Sequence, residues 1–155
     1  QTCALPILDV DEINPILSEQ YPSVDVANFN APSQTVISGP VDDITAAKLA
    51  LEEAGARMVV PLKVSAAFHS RYMADAANQF SVFLSDFGFQ TPDKTLLSNV
   101  TARPYGDNLK QPLVDQINHS VQWVASIAYL KESGESSFEE VGPGKVLTGL
   151  LRQIG

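Results

Sequence analysis

Thiols are almost absent: one cysteine, Cys3, in 155 residues excludes an intrachain disulfide and any cysteine-rich zinc site. Histidine is nearly as scarce, and the two present, His69 and His119, lie too far apart to form a spaced metal-ligand motif. Basic residues are also few. Ten Lys and Arg against eighteen Asp and Glu leave a formal charge of −8, the wrong sign for a surface that must neutralise nucleic-acid phosphates. No apolar stretch approaches the ~20 residues needed to cross a bilayer, so no membrane span is read. No basic segment followed by a hydrophobic one opens the chain, so no secretory signal is read, and a cytoplasmic location is the expectation. On that expectation Asn99-Val100-Thr101 and Asn118-His119-Ser120 are chance matches to the glycosylation pattern.

What remains is a composition that can fold. With 45% hydrophobic and 18% charged residues, the chain reads as globular rather than disordered. Its length suits one domain, or one and a part. Residues 1–7, QTCALPI, show neither a helical nor a strand period and resemble the translation of a sequencing-library adapter. They are therefore expected to be a non-native leader joined to a truncated frame, with organised sequence beginning at Leu8.

From there the pattern predicts a helix over 9–20, with Pro15 kinking or delaying it and Pro22 closing it. Alternating VDVANFN (24–30) and β-branched QTVISG (34–39) predict a hairpin. Residues 41–54 predict a helix capped by Asp42 and stopped at Gly55. RMVVPLKVS (57–65) predicts a strand with an edge or bulge at Pro61. This order is a β-α-β-β-α-β split unit without its first strand, which would lie where QTCALPI stands. Further on, helices are expected over 70–86, with Tyr72, Met73, Ala76, Ala77, Phe80, Phe83 and Leu84 on its apolar face, and over 109–118, 121–131 and 145–154, and strands over 96–100 and 137–141. Their alternation suggests part of a parallel sheet and an α/β class.

The chemistry centres on LKVSAAFHSRYM (62–73). An apolar run from Met58 to Val64 stops at Ser65-Ala66-Ala67, and a helical pattern starts at Ser70. His69 thus sits at a strand-to-helix turn, where α/β sheets collect catalytic groups. A hydrogen-bonded structural histidine fits the same pattern. VGPGKVLTG is not a phosphate loop: the Walker spacing needs glycine where Glu139 stands and Ser or Thr where Val146 stands. Its glycines serve a sharp turn into a helix. No G-x-S-x-G elbow occurs, and GESSF at Gly134 lacks the closing glycine. A base is present without its nucleophile.

ANFNAPSQTVISG (27–39), PLKVSAAFHSRYM (61–73), SNVTARPY (98–105), VQW (121–123) and EVGPGKVLTGL (140–150) together resemble malonyl-CoA:acyl-carrier-protein acyltransferases. The similarity is greatest to the discrete trans-acting enzymes that serve polyketide synthases, and it runs in order from Leu8 to Gly155. It implies an α/β-hydrolase-like large domain with an inserted ferredoxin-like subdomain. The chain would be the C-terminal portion, with residues 8–64 the small subdomain lacking a strand and 65–155 the end of the large domain.

The same resemblance makes His69 the general base of a serine that forms an acyl intermediate. A backbone carbonyl near VQW, in the Gln122 segment, would orient the imidazole. Phe68 matches the malonyl-type signature, where a bulky ring leaves less room for an α-methyl group. Asn28 and Asn30 would line the cleft, with packing and turn roles equally open. Malonyl-CoA and the phosphopantetheine thiol of an acyl carrier protein would be the substrates, with no cofactor or metal. The pathway, fatty acid or polyketide, stays open. Ser33 and Ser120 depart from the family's usual glycine and proline. The nucleophilic serine and the arginine that would hold the malonyl carboxylate are missing, so the chain alone is expected to be inactive. The rival expectation is a non-catalytic ferredoxin-like binding module.

Overall fold

Thr2–Pro6 forms a strand, β1, and it is an interior one. The computed structural model, which describes residues 1–155, pairs β1 antiparallel with β3 (Gln34–Gly39) on one side and β4 (Val59–Leu62) on the other. With β2 (Asp25–Ala31) beyond β3, the sheet order is β2-β3-β1-β4. The segment expected to be a structureless leader therefore fills the very place where a strand was expected to be missing. Its period is hidden because both faces are covered: Ala4 packs with the two helices and Cys3 with Ala27 and Val36, so the strand need not alternate. The backbone continues the pairing beyond β1, with Ile7 N–H donating to Met58 O (2.8 Å) and Arg57 N–H to Ile7 O (3.0 Å).

The split unit is thus whole: β1, α1 (Val10–Gln20), β2, β3, α2 (Val41–Glu53), β4. Asp9 caps α1 by accepting from Asp11 N–H at 3.0 Å, and the helix runs through Pro15. Asp42 is not the cap of α2. Pro40 takes that position, and Asp42 and Asp43 fall in the first turn, where carboxylates complement the helix dipole. Gly55, with φ +101°, ends the helix as expected. Both helices pack on one sheet face through Ile13, Leu17, Ile44, Ala47 and Leu51, which meet Ala4, Ile37 and Val59.

The remainder is helical: a 3₁₀ turn (Arg71–Met73), α3 (Ala74–Ser85), α4 (Lys110–Asn118), α5 (Trp123–Glu132) and α6 (Val146–Ile154). The expected parallel sheet does not form. LLSNV contributes a single bridge, Leu97 to Pro104, and SFEEV forms no strand. A strand exists only with a partner along its length; LLSNV meets residues 103–105 and Gln122 N–H through isolated bonds, SFEEV bonds to α6 through Glu140, and neither gains a ladder. The one parallel bridge joins Asn28 to Val121, which covers part of the β2 edge. At α6 the carboxylate of Glu140 accepts from Thr148 N–H (2.9 Å), Thr148 Oγ1 (2.7 Å) and Leu147 N–H (3.2 Å). Those bonds, Thr148's first, hold its pKa below the usual carboxylate range. The helix end that follows the Gly-Pro-Gly turn is therefore already occupied by the chain's own anion.

α3 and α4 share a small core of Ala77, Leu84 and Val114. Phe83, expected on the inward face of α3, is 59% exposed and packs between Phe80 and Phe87, with Val82 at 73% beside it. Exposed apolar side chains of this size favour association. The chain is expected to elute above its monomer mass in gel filtration with light scattering, and Phe83→Glu with Phe87→Glu should shift it toward monomer. A concentration-independent monomer would contradict this. No helix is long and apolar enough to cross a membrane.

Candidate active site

The chain leaves β4 at Leu62 and reaches the 3₁₀ turn through residues 63–70. Ala67 and Ser70 are buried there, and Ser70 Oγ donates to Ala67 O at 2.5 Å, closing the turn. Between them His69 adopts a left-handed backbone, φ +57°. For a residue with a Cβ this costs on the order of 1 kcal/mol or more and persists only where the surroundings enforce it. The enforcement comes from the last turn of α4, whose terminal carbonyls have no partner within the helix. His69 N–H donates to Ile117 O at 3.2 Å, and Nδ1 lies 2.7 Å from Gln116 O.

A carbonyl oxygen only accepts, so Nδ1 carries the proton and the neutral ring presents Nε2 as its basic nitrogen. Nε2 has no hydrogen-bond partner, and no serine hydroxyl or cysteine thiol reaches the ring. The half-buried imidazole lines a cavity of about 430 Å³ together with Asn14, Asp25, Val26, Phe29, Ser70, Arg71, Asn118, His119 and Ser120. A larger concavity of about 770 Å³ along α1 shares Asn14, Asp25, Val26 and Arg71 with it. Between the two stands a fork: Arg71 Nε lies 2.9 and 3.1 Å from the two Asp25 oxygens, Nη2 also donates, and Arg71 N–H donates at 2.9 Å. Hydrogen bonding to Asp25, then its charge, holds the guanidinium pKa above its usual value. Arg71 is therefore engaged by Asp25 through Nε, Nη2 and its backbone N–H.

Of the site residues expected from the sequence (His69, Phe68, Gln122, Asn28 and Asn30), only His69 lines this cavity. Gln122 does not orient the ring: its N–H donates to Asn99 O (2.7 Å) and its carbonyl accepts from Ser126 N–H (2.9 Å) and Oγ (2.8 Å) at the start of α5. The carbonyl that does so belongs to Gln116, which sequence reasoning missed because a backbone acceptor leaves no side-chain signature. Asn28 and Asn30 are half-buried on β2, but that strand lines the cavity with Asp25, Val26 and Phe29. Phe68 is 43% exposed beside the histidine, and its carbonyl accepts from Ser38 Oγ at 3.1 Å. No three His, Cys, Asp or Glu side chains gather to hold a metal.

No family model matches the chain. Among curated relatives, the polyketide biosynthesis malonyl CoA-acyl carrier protein transacylase PksC of Bacillus subtilis is 50% identical over 150 residues, 95% of this chain and 52% of PksC. The acyl-carrier-protein S-malonyltransferase of Burkholderia pseudomallei superposes with a TM-score of 0.95 at 32% identity over 99% of this chain and 52% of that one. The chain matches half of a malonyl CoA-acyl carrier protein transacylase. It spans about half the length of the curated malonyl CoA-acyl carrier protein transacylases it matches. A malonyl-transacylase solved with its type II polyketide acyl-carrier protein superposes at a TM-score of 0.94, with 32% identity, over 99% of this chain and 51% of that one. The transacylase match thus takes in both the ferredoxin-like unit and the helical remainder, including the turn that bears His69.

Proposed function

We propose that this chain supplies the general base of a malonyltransferase whose nucleophilic serine lies outside it. His69 Nε2 takes the proton of that serine as its oxygen attacks the malonyl thioester of coenzyme A. Backbone N–H groups of the other half hold the oxyanion, and the proton passes to the departing coenzyme A thiolate. In the second half-reaction His69 takes the proton of a carrier protein's phosphopantetheine thiol. The thiolate attacks the acyl-serine, and the proton returns to the serine oxygen. Gln116 O keeps the ring in the tautomer that leaves Nε2 basic throughout. Phe68 narrows the space at the malonyl α-carbon, and no cofactor or metal enters the cycle.

The observation that carries this reading is the Nδ1 bond to Gln116 O from a left-handed turn, which spends backbone strain on aiming one imidazole. The transacylase names of the relatives support the substrates, and the relative solved with an acyl-carrier protein supports that partner. A cytoplasmic location belongs to the same reading. A purely binding role for the ferredoxin-like unit has no comparable observation behind it.

The test is complementation. The half of B. subtilis PksC that this chain does not match, added in trans, should restore malonyl transfer from coenzyme A to carrier protein, with neither half active alone. A well-folded complex of the two halves that transfers nothing would overturn the proposal.

A further inference from the structure

The hydrogen bonds around His69 close into a ring that encircles the smaller cavity. His69 is held by Gln116 O and Ile117 O of α4. Just past α4, Ser120 Oγ donates to Val26 O (2.6 Å), Val121 N–H donates to Ala27 O (2.8 Å), and Phe29 N–H donates to Val121 O (2.9 Å). These bonds fix the end of α4 to β2. From β2, Asp25 reaches back to Arg71, two residues after the histidine, and so closes the ring.

The closing contact does more than pair charges. Ser70 stands where a local cap of the 3₁₀ turn would be, but it makes no side-chain cap bond because its hydroxyl is turned to Ala67 O. Asp25 does that job from another element, accepting the Arg71 backbone N–H and the guanidinium of the same residue. It is 19% exposed at its side chain, against 59% for Arg71, so the carboxylate is the fixed member and the arginine folds onto it. Without it, the backbone after His69 keeps only the Tyr72 hydroxyl on Ser23 O (2.6 Å) as a tie to the β2 side. The left-handed turn would then be free to relax toward ordinary φ, carrying Nδ1 away from Gln116 O.

We propose that Asp25 is a positioning residue for His69: it locks the turn that holds the imidazole in its Nδ1–H tautomer. The proposal takes His69 as the base from the preceding reading. Its test uses this chain alone, so a failed transfer assay and a failed positioning role give separate results. With ¹⁵N-labelled histidine, ring-nitrogen shifts report the tautomer of His69 directly, and the titratable groups sharing its cavity are Asp25, Arg71 and His119.

In the parent chain the Nδ1–H form should dominate. In Asp25→Ala, unchanged in overall circular dichroism, the Nδ1–H share should fall and that proton should exchange with solvent about tenfold faster, as local opening becomes easier. Asp25→Asn, which still offers an oxygen to the Arg71 N–H, should recover most of the parent spectrum. Parent-like ring signals in Asp25→Ala overturn the proposal, as does a failure of Asn to restore any of the change. Should Asp25→Ala not fold, Arg71→Ala decides. It removes the guanidinium bonds and keeps the backbone one, so an intermediate change supports the role and a parent-like ring removes it.

Discussion

On the proposed function, replacing His69 by alanine in a transacylase reassembled from this chain and the half of PksC that it does not match is expected to lower malonyl transfer by about 10² to 10⁴-fold, the usual weight of a positioned general base. The acylation burst should disappear along with turnover, because the same nitrogen serves both half-reactions. Alanine alone leaves an ambiguity, since it also changes a residue held at φ +57°. Asparagine resolves it. Its side chain tolerates the left-handed region and has no basic nitrogen. His69→Asn should therefore keep the thermal stability of the parent and be as inactive as alanine, read as kcat/KM for malonyl-CoA. Retained activity in His69→Asn would remove the imidazole from the mechanism. Loss of folding in alanine alone would instead place its effect in the backbone.

Deleting residues 1–7 is expected to abolish cooperative unfolding. β1 makes three residue pairs with β3 and four with β4, so its removal strips the pairing from both neighbours at once. Each buried backbone group left unpaired costs about 1–3 kcal/mol. A handful of these equals the whole stability of an ordinary domain, on the order of 5–15 kcal/mol. The core also loses Ala4, which is fully buried against Ile37 and the two helices. Thermal melts followed by circular dichroism check this, and a truncated chain that melts like the parent would contradict the sheet order. Ala4→Asp asks the same question in a full-length chain, since a carboxylate at a position with no exposure has no partner there.

That deletion bears on how much of the fold could be read from the residues. α1 and α2 are legible because each has one buried and one wet face, β2 because its apolar and polar residues alternate in sequence, and β3, though almost wholly buried, because its β-branched run ends at Gly39. β1 is not, because both of its faces are covered, Ala4 against the helices and Cys3 against Ala27 and Val36, and Cys3, Ala4 and Pro6 carry no β-branched signal. The opposite error occurred at LLSNV and SFEEV. Both have strand composition, yet strand formation depends on a partner that this chain does not supply. Helical spacing puts Phe83 inside, yet it is 59% exposed, with Phe80 and Phe87 as its aromatic neighbours.

Sequence by itself determined the α/β class, the split unit apart from its first strand, the helix boundaries to within a few residues, and the place of His69 at a strand-to-helix turn. Side-chain identity is enough for these, since burial periodicity and an imidazole at a strand-to-helix turn are local properties. Only the tertiary structure decided what holds that imidazole. The ring is oriented by Gln116 rather than the Gln122 segment, its turn is enforced by Ile117, and the Asp25–Arg71 contact seals the loop across 46 positions of sequence. Two of these three partners act through backbone carbonyls, which every residue has. Where such an oxygen points depends on where α4 ends and what that end packs against, and both depend on the folded chain.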